Sequence, residues 1–311
     1  MASIKLGVVL INWNSAEDTI ECIRSIRLSE TEFGYTIIVV DNGSKDDSLA
    51  LIRKEFPDLV YIESAKNLGF AGGNNLGIRK AFGLGCNYLF LLNNDTVIDK
   101  KVIDILTTTL KSAKSIGAVA PKMYFYNKKN IIWWAGGRLF LKKGIIKNRG
   151  FGKKDRLEFD DLYACDYLTG CAIMIKKEVI DKIGLLSEEY FHTAEDVDWS
   201  LRMRKVGYRL IMDPKARIWH KISRSGGGDL SPFYMYYLER NRLFLMKKFG
   251  YWGKLSYIIL LPVWFKRILA ALLKARDWYT LKSIFWAIYD FKKGVCGCSS
   301  RFIENKTTGS P

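Results

Sequence analysis

Four clusters in this 311-residue chain have the residue types and spacing that chemistry needs. Asn93-Asn94-Asp95 follows the apolar run YLFLL. One carboxylate there can be enough for Mg²⁺ or Mn²⁺, because such ions take few protein carboxylates when a substrate brings phosphate oxygens. An Asx turn closing a strand would use the same residues. Glu195-Asp196-Val197-Asp198 places three carboxylates in four residues at the start of a helical pattern. A helix dipole favours an acidic first turn, but three exceed a cap, and their mutual repulsion would suit one to general-base work. His220 follows Ile218-Trp219 and precedes Lys221, Ser223, Arg224, Ser225 and Gly226 to Gly228. It is a candidate ligand for metal or phosphate, with a purely structural histidine as the other reading. Finally, Asn67 to Gly77 (NLGFAGGNNLG) is a glycine-rich entry to a helix, able to bring backbone close to a ligand or simply to make a turn.

These clusters need a scaffold that gathers them. Residues 5–13 (KLGVVLINW), 35–40 (YTIIVV), 60–62 and 88–92 are short apolar runs of the kind buried on both faces of a sheet. Helical patterns alternate with them, one capped by Ser15 with Glu17 and Asp18 in its first turn, one over 46–56 and one over 75–82. Alternation predicts an α/β fold with a mostly parallel sheet, whose ligands sit beyond the carboxyl ends of the strands. The residues at those ends, Asn12-Trp13-Asn14, Asp41-Asn42, Asn67 and Asn93-Asn94-Asp95, should therefore converge. From Ala118 the pattern weakens; 122–161 reads as irregular strands and loops, before a strand at 171–175, a helix at 196–206 and a strand at 208–212.

Composition narrows the classes. Apolar residues make up 49 % and the formal net charge is +17, which excludes a disordered chain, while 6 dispersed cysteines exclude a disulfide scaffold and point to reduced thiols. The absence of GxGxxG and Walker A sequences removes the main support for dinucleotide oxidoreductases and P-loop NTPases. The charge is uneven, −1 over residues 1–120, +11 over 121–250 and +7 over 251–311. No nucleic-acid recognition motif accompanies it, so no nucleic-acid partner is expected. The run Leu6 to Ile11 is too short for a signal peptide.

Taken in order, Asn12-Trp13-Asn14, Val40 to Ser44, Asn67 to Gly77, Leu92 to Thr96, Leu168-Thr169-Gly170, Glu195 to Trp199 and Trp219-His220 resemble family 2 glycosyltransferases, and within them the rhamnosyltransferase-type members. The resemblance covers about residues 5–250. It implies a GT-A fold, Rossmann-like with helices on both faces, and an inverting, metal-dependent transfer of a single sugar from a nucleotide-sugar donor of the dTDP-rhamnose or UDP-hexose type. The acceptor would be lipid-linked or a surface polysaccharide, and an inactive nucleotide-sugar- or lipid-binding module is the alternative. By matching position Asp196 would be the base, with Asp198 as second candidate; Asp41, Asn14, Asn67, Gly69, Asn74, Asn93, Asn94, Gly170 and Glu195 would line the substrate site. Asn93 stands where the family's Asp-x-Asp motif begins, so the ion would lean on Asp95, His220 and the donor diphosphate. The Gln-x-x-Arg-Trp motif of processive synthases is absent.

Three segments are expected: 1–120 as the nucleotide-sugar half, 121–250 as the acceptor and catalytic half, and 251–311 as a basic amphipathic extension. Lys266-Arg267 interrupt the apolar run of that extension, leaving no uncharged stretch of the roughly 20 residues a membrane span needs. Trp264, Trp278 and Trp286 interleaved with Lys274, Arg276, Lys282, Lys292 and Lys293 suit the surface of an anionic membrane. The expected location is cytoplasmic, peripheral at the inner face of the cell membrane; packing on the main domain or on a second copy is the other reading.

Overall fold

The computed structural model describes residues 4–222, 230–253, 255–275 and 277–302. Ser223 to Gly228 and Arg276, singled out above, lie outside them. The chain divides into two compact units, one of Met1–Leu139, Lys147–Leu186 and Asp196–Ser223, the other of Phe140–Ile146, Ser187–Glu195 and Arg224–Pro311.

The first unit begins as the alternation predicts. β1 (Lys5–Asn12), α1 (Ala16–Arg27), β2 (Gly34–Asp41), α2 (Ser48–Glu55), β3 (Val60–Glu63), α3 (Gly69–Gly83) and β4 (Tyr88–Asn93) build a parallel block in the order β3, β2, β1, β4. β1 lies at its centre, and its continuous apolar run is buried on both faces. Ser15 does precede α1, but its hydroxyl donates to the Asp18 carboxylate (3.1 Å) and accepts no backbone N–H.

Beyond β4 the sheet becomes mixed, and residues 122–161 hold short strands joined by loops, as the sequence pattern leads one to expect. β5 (Thr96–Ile98), α4 (Val102–Lys111), β6 (Ile116–Phe125), β7 (Lys128–Trp134), β8 (Gly137–Phe140), β9 (Ile145–Asn148), β10 (Tyr163–Ala164), β11 (Ala172–Lys176), α5 (Lys177–Ile183), α6 (Glu195–Lys205) and β12 (Arg209–His220) follow. β6 crosses residue 120 without a break and is buried almost throughout, although it contains Pro121 and Lys122. Lys122 is fully buried because Asp155 (3.0 Å) and Asp160 (2.8 Å) neutralise it. β12 continues eight residues past the expected end, through a bulge between Asp213 and Arg217 that absorbs Pro214.

Register decides where the ends fall. In the parallel block Asn12 lies opposite Asp41 and Ile11 opposite Asn93. β11 runs antiparallel between β4 and β6, with Ala172 opposite Leu92. The start of β11 therefore meets the end of β4. β5 pairs antiparallel with β12, placing Thr96 opposite His220.

The glycine-rich segment is helix from Gly69 onward, six residues earlier than expected. Gly73 and Gly77 face the sheet: a Cβ on Gly77 would sit 2.2 Å from Val9 Cγ1 and 3.2 Å from Val40 Cγ2. Close helix-to-sheet approach, as well as the turn, explains this composition.

In the second unit, α7 (Pro232–Lys248) starts at Ser231, whose hydroxyl accepts the Tyr234 N–H, with Pro232 at the first position. α8 (Ser256–Ala270) continues as a π-helical turn over Ala271–Ala275, and α9 (Trp278–Lys293) is capped by Asp277. Met235, Leu243, Met246, Leu260, Trp264, Ile284 and Phe291 form their common core. The charges at 266–267 do not end α8: Arg267 reaches the fully buried Glu239 of α7, which also accepts Trp264 Nε1 (3.0 Å). Residues 256–273, with Lys266 and Arg267 inside them, are by length and composition alone apolar enough to cross a membrane, with mean hydropathy 1.7.

Gly77→Ala tests the helix-to-sheet seam. Helix propensity favours alanine by about 1 kcal/mol, but overpacking against Val9 typically costs about 1–3 kcal/mol. Denaturant unfolding should show net destabilisation; a more stable variant would mean that α3 can retreat from β1 freely.

Candidate functional site

At the carboxyl ends of β1, β2 and β4 a connected polar network replaces apolar packing. Asn12 Nδ2 donates to Asp41 Oδ1 (3.0 Å) and Ser48 Oγ (2.9 Å), while its Oδ1 accepts from Thr19 Oγ1 (2.8 Å). Asn94 Nδ2 donates to the same threonine hydroxyl (2.8 Å). Ser44 closes the other flank, its hydroxyl on Asp41 Oδ1 (2.6 Å) and its N–H on Oδ2 (3.0 Å). Asp41 is thus a fixed carboxylate, 5 % exposed, beside a cleft of about 440 Å³ whose lining includes Ser44, Asp47, Arg53, Glu63 and Ser64. Asn14, exposed and at φ +50°, accepts the Lys45 N–H (2.8 Å) and donates its own N–H to Ser44 Oγ (3.0 Å).

Asn42 carries the network toward α3. Its Nδ2 donates to Asn67 Oδ1 (3.2 Å) and to the Gly69 carbonyl (3.1 Å), and its Oδ1 accepts the Leu68 N–H (3.0 Å). Asn67 Oδ1 also accepts the Gly69 N–H (2.8 Å), and Gly69 sits at φ +73°, where a side chain would be strained. Asn67 and Gly69 therefore shape the entry to α3 at the sheet edge. Asn74 does not join them: it is 2 % exposed and its amide donates to the Phe70 carbonyl (3.0 Å) inside the helix.

The start of β11 brings the candidate base to this edge. The Asn93 N–H donates to the Cys171 carbonyl (2.8 Å), and one residue earlier the Gly170 N–H donates to Asp196 Oδ2 (2.8 Å). A Cβ on Gly170 would lie 2.9 Å from the Phe70 ring and 3.5 Å from Asp196 Cβ, so glycine alone fits between α3 and α6. Asp196 Oδ1 accepts the Val197 N–H (2.8 Å). Burial raises the Asp196 carboxyl above its ordinary range, against these N–H donors, which pull it down. Desolvation, and not the repulsion among neighbouring carboxylates expected above, is the cause.

Asp198 has a different fate. It is fully buried and ion-paired with Arg202 (2.6 Å), whose guanidinium also donates to the carbonyls of Ile183 (2.5 Å) and Leu185 (2.8 Å). That carboxylate locks the turn before α6 and is occupied. Glu195, 6 % exposed, belongs to the second unit.

Asp95 and His220 meet where β5 pairs with β12. His220 Nε2 lies 3.1 Å from Asp95 Oδ1, both side chains being buried, and Trp133 packs edge-on against the imidazole (4.5 Å). Burial opposes the imidazolium, but the adjacent Cys171 and Asp95 outweigh it and hold the His220 pKa well above its usual value. The Asp95 carbonyl accepts the Lys221 N–H (2.9 Å), and the Lys221 ammonium is held by Asp18 (2.7 Å) and Glu21 (2.5 Å). Among the described residues no three His, Cys, Asp or Glu groups form a metal cluster. The pair fits a divalent ion only with the imidazole deprotonated, the arriving cation replacing the proton that Asp95 holds on His220: adjacent ligands of an octahedron with bonds of about 2.1 Å are about 3.0 Å apart, and such ions keep positions for phosphate oxygens and water.

Some residues escaped sequence reasoning. Thr19 and Ser48 carry the network but look like ordinary helix residues. In α7, Glu239, Arg240 and Asn241 are fully buried and Arg242 is 6 % exposed. A signal existed: four consecutive polar residues on one helix cannot all face water. The loop 187–195 before α6 carries Phe191, Thr193 and Ala194 at positive φ, conformations that cost about 1–3 kcal/mol each for non-glycine residues.

The chain is 24 % identical over 228 residues to poly-beta-1,6-N-acetyl-D-glucosamine synthase of Staphylococcus aureus, covering 69 % of this chain and 48 % of that protein. It is 29 % identical over 205 residues to the low-salt glycan biosynthesis hexosyltransferase Agl10 of Haloferax volcanii, covering 64 % of this chain and 62 % of that one. The chain thus spans about half to three fifths of these relatives' length. Among solved structures, the mannosyltransferase PcManGT of Pyrobaculum calidifontis, in complex with GDP-Man and Mn²⁺, superposes with TM-score 0.57 at 16 % identity, covering 98 % of this chain and 79 % of that one. S. aureus TarS 1–349 gives 0.57 at 16 % identity, with 94 % and 81 % coverage. The shared architecture is the GT-A-like fold. The profile of glycosyl transferase family 2 matches residues 7–184, more than half of the chain, and the chain belongs to that family.

Proposed function

We propose that the protein is an inverting glycosyltransferase that moves one sugar from a nucleotide-sugar donor to a lipid-linked or polysaccharide acceptor. The observation that carries this reading is the continuity of one edge. Asp196 bonds Gly170, the next residue bonds Asn93, and Asn93 leads to the Asp95–His220 pair, with Asp41 anchored two strands away.

On this reading Asp41 and the Asn67–Gly69 entry receive the nucleoside. Asp95 and His220 hold a divalent cation, which supplies charge neutralisation to the departing diphosphate. An acceptor hydroxyl has a pKa far above 7, so Asp196 takes its proton as the oxygen attacks the anomeric carbon. A single displacement inverts that carbon and leaves no nucleophile for the enzyme to supply. Mn²⁺ in the PcManGT complex supports the metal assignment. The relatives' glycan synthesis supports the acceptor class. A rhamnosyltransferase-like preference for dTDP-rhamnose is the donor reading to test first, beside UDP-hexoses.

The second unit suggests where the acceptor is met. Ile258, Ile259, Leu261, Phe265 and Leu269 are exposed on α8, as are Leu272 and Leu273 in the turn that follows, while Leu260 and Trp264 pack inward. With the basic excess of 251–311, this face fits an anionic membrane surface. The buried Glu239 contacts to Trp264 and Arg267 favour α8 lying along that surface over crossing it. The inner face of a cell membrane, where nucleotide sugars are available, is the proposed location.

Three outcomes test this reading. Asp196→Asn should lower turnover by roughly 10²- to 10⁴-fold while donor binding survives. Because burial raises the Asp196 carboxyl, the base is ionised only above that raised value. The wild-type acid limb should therefore fall nearer neutrality than an ordinary carboxylate would place it, and near-normal turnover in the variant would remove Asp196 as base.

Asp95→Ala should abolish the Mn²⁺-dependent part of the rise in melting temperature that a bound nucleotide sugar produces. A metal-dependent rise of wild-type size in the variant would place the ion elsewhere.

Full-length protein should float with anionic liposomes and release partly at high salt. The exposed-site double variant Leu261→Glu, Phe265→Glu should stay at the bottom of the gradient. Equal flotation by the variant would assign the α8 face to another partner.

A further inference from the structure

The chain enters Asp196 through a loop whose backbone is gripped by two side chains of α7. Phe191 (φ +62°), Thr193 (+65°) and Ala194 (+72°) hold left-handed conformations, which persist only where the surroundings over-determine them. Asn241 supplies that constraint. Its Nδ2 lies within hydrogen-bond distance of the carbonyls of Tyr190 (2.7 Å), His192 (2.7 Å) and Thr193 (3.0 Å). An amide nitrogen has two hydrogens, so three carbonyls turned toward one nitrogen mean that the loop is folded around it.

Arg240 sets the direction of that amide. Its Nε donates to Asn241 Oδ1 (3.0 Å), leaving only the nitrogen to face the loop. The same guanidinium donates to the Tyr190 carbonyl (3.2 Å) and the Gly297 carbonyl (2.9 Å), and the Gly297 N–H returns to the Glu189 carbonyl (2.6 Å). Both side chains are fully buried. A buried guanidinium spent on carbonyl oxygens is expensive to keep, and one of the carbonyls it fixes, that of Tyr190, lies six residues before Asp196.

We infer that Arg240 and Asn241 are positioning residues for the candidate base: they hold residues 190–195 in the one backbone path that presents the Asp196 carboxylate to the acceptor. The inference rests on the reading of Asp196 as base. Asn241→Asp is the discriminating variant. It keeps the volume and the Arg240 contact, but its second oxygen faces three carbonyls with no proton to donate.

Turnover is measured with UDP-glucose and with dTDP-rhamnose, each with Mn²⁺, and amide hydrogen exchange is followed in the full-length protein without substrate. The expected result is kcat at least tenfold lower, donor KM within twofold of wild type, and exchange over 190–195 at least tenfold faster while the β1 and β4 amides are unchanged. Arg240→Lys, which keeps the charge and loses the fork, should show the same pattern more weakly. Unchanged exchange over 190–195 overturns the inference, as does a fall in kcat matched by an equal loss of donor affinity or of folded protein. Asp196→Asn separates the two claims. If it turns over donor as wild type does, the base assignment falls; if it is inactive while Asn241→Asp is normal, only the positioning role falls.

Discussion

The side chain of Asn12 is the constraint on which the rest of the edge depends. It ends the central strand, where the sheet changes from a packed apolar interior to a polar edge. A primary amide suits that place because it donates and accepts at once. Through its nitrogen it fixes Asp41 and Ser48 on one side; through its oxygen it fixes Thr19, and beyond it Asn94, on the other. Three strand ends and the first turns of two helices are thereby held in one frame, with each buried polar group satisfied by another. Such a network is stiff because every member is needed by its neighbours.

Within α6 two carboxylates two residues apart follow opposite electrostatic rules. Asp198 is buried with a guanidinium, so its charge is balanced and it serves the fold. Asp196 is held, among the described residues, by N–H dipoles, so burial is incompletely offset and its proton affinity rises. The helix supplies both environments because successive side chains turn about 100° around its axis, sending one residue toward the 183–185 turn and the other toward Gly170.

Much of this was legible from sequence, for physical reasons that differ by element. β1, β2 and β4 are buried on both faces, which leaves an unmistakable continuous apolar run, and the polar residue that ends each run marks the edge where the hydrogen-bonded network forms. α3 was legible only in part, because glycine looks the same whether it makes a turn or lets a helix approach a strand; the deciding atoms, Val9 and Val40, are remote in sequence. β6 was hidden by Pro121 and Lys122, and the carboxylates that make the lysine tolerable lie more than thirty residues away. The structural role of Asp198 did leave a local trace in Arg202, four residues on, a spacing that pairs side chains on a helix. The grip of α7 on the loop before Asp196 left almost none, since carbonyl oxygens belong to every residue and no letter in the sequence announces that they are aimed at one amide.

The antiparallel placement of β11 has a consequence for how the chain must be made. β4 is complete at residue 93, and β1 covers one of its edges immediately, but the strand that covers the other begins only at residue 172. During synthesis the edge of YLFLL therefore waits, unpaired and strongly apolar, while nearly eighty residues are added. Exposed strand edges of this composition recruit other chains, and pairings of long sequence separation form slowly. The ribosome-bound protein thus passes through a period in which its N-terminal strands can pair but remain adhesive, and only the arrival of β11 closes that edge and sets Gly170 where Asp196, made later, will accept its N–H.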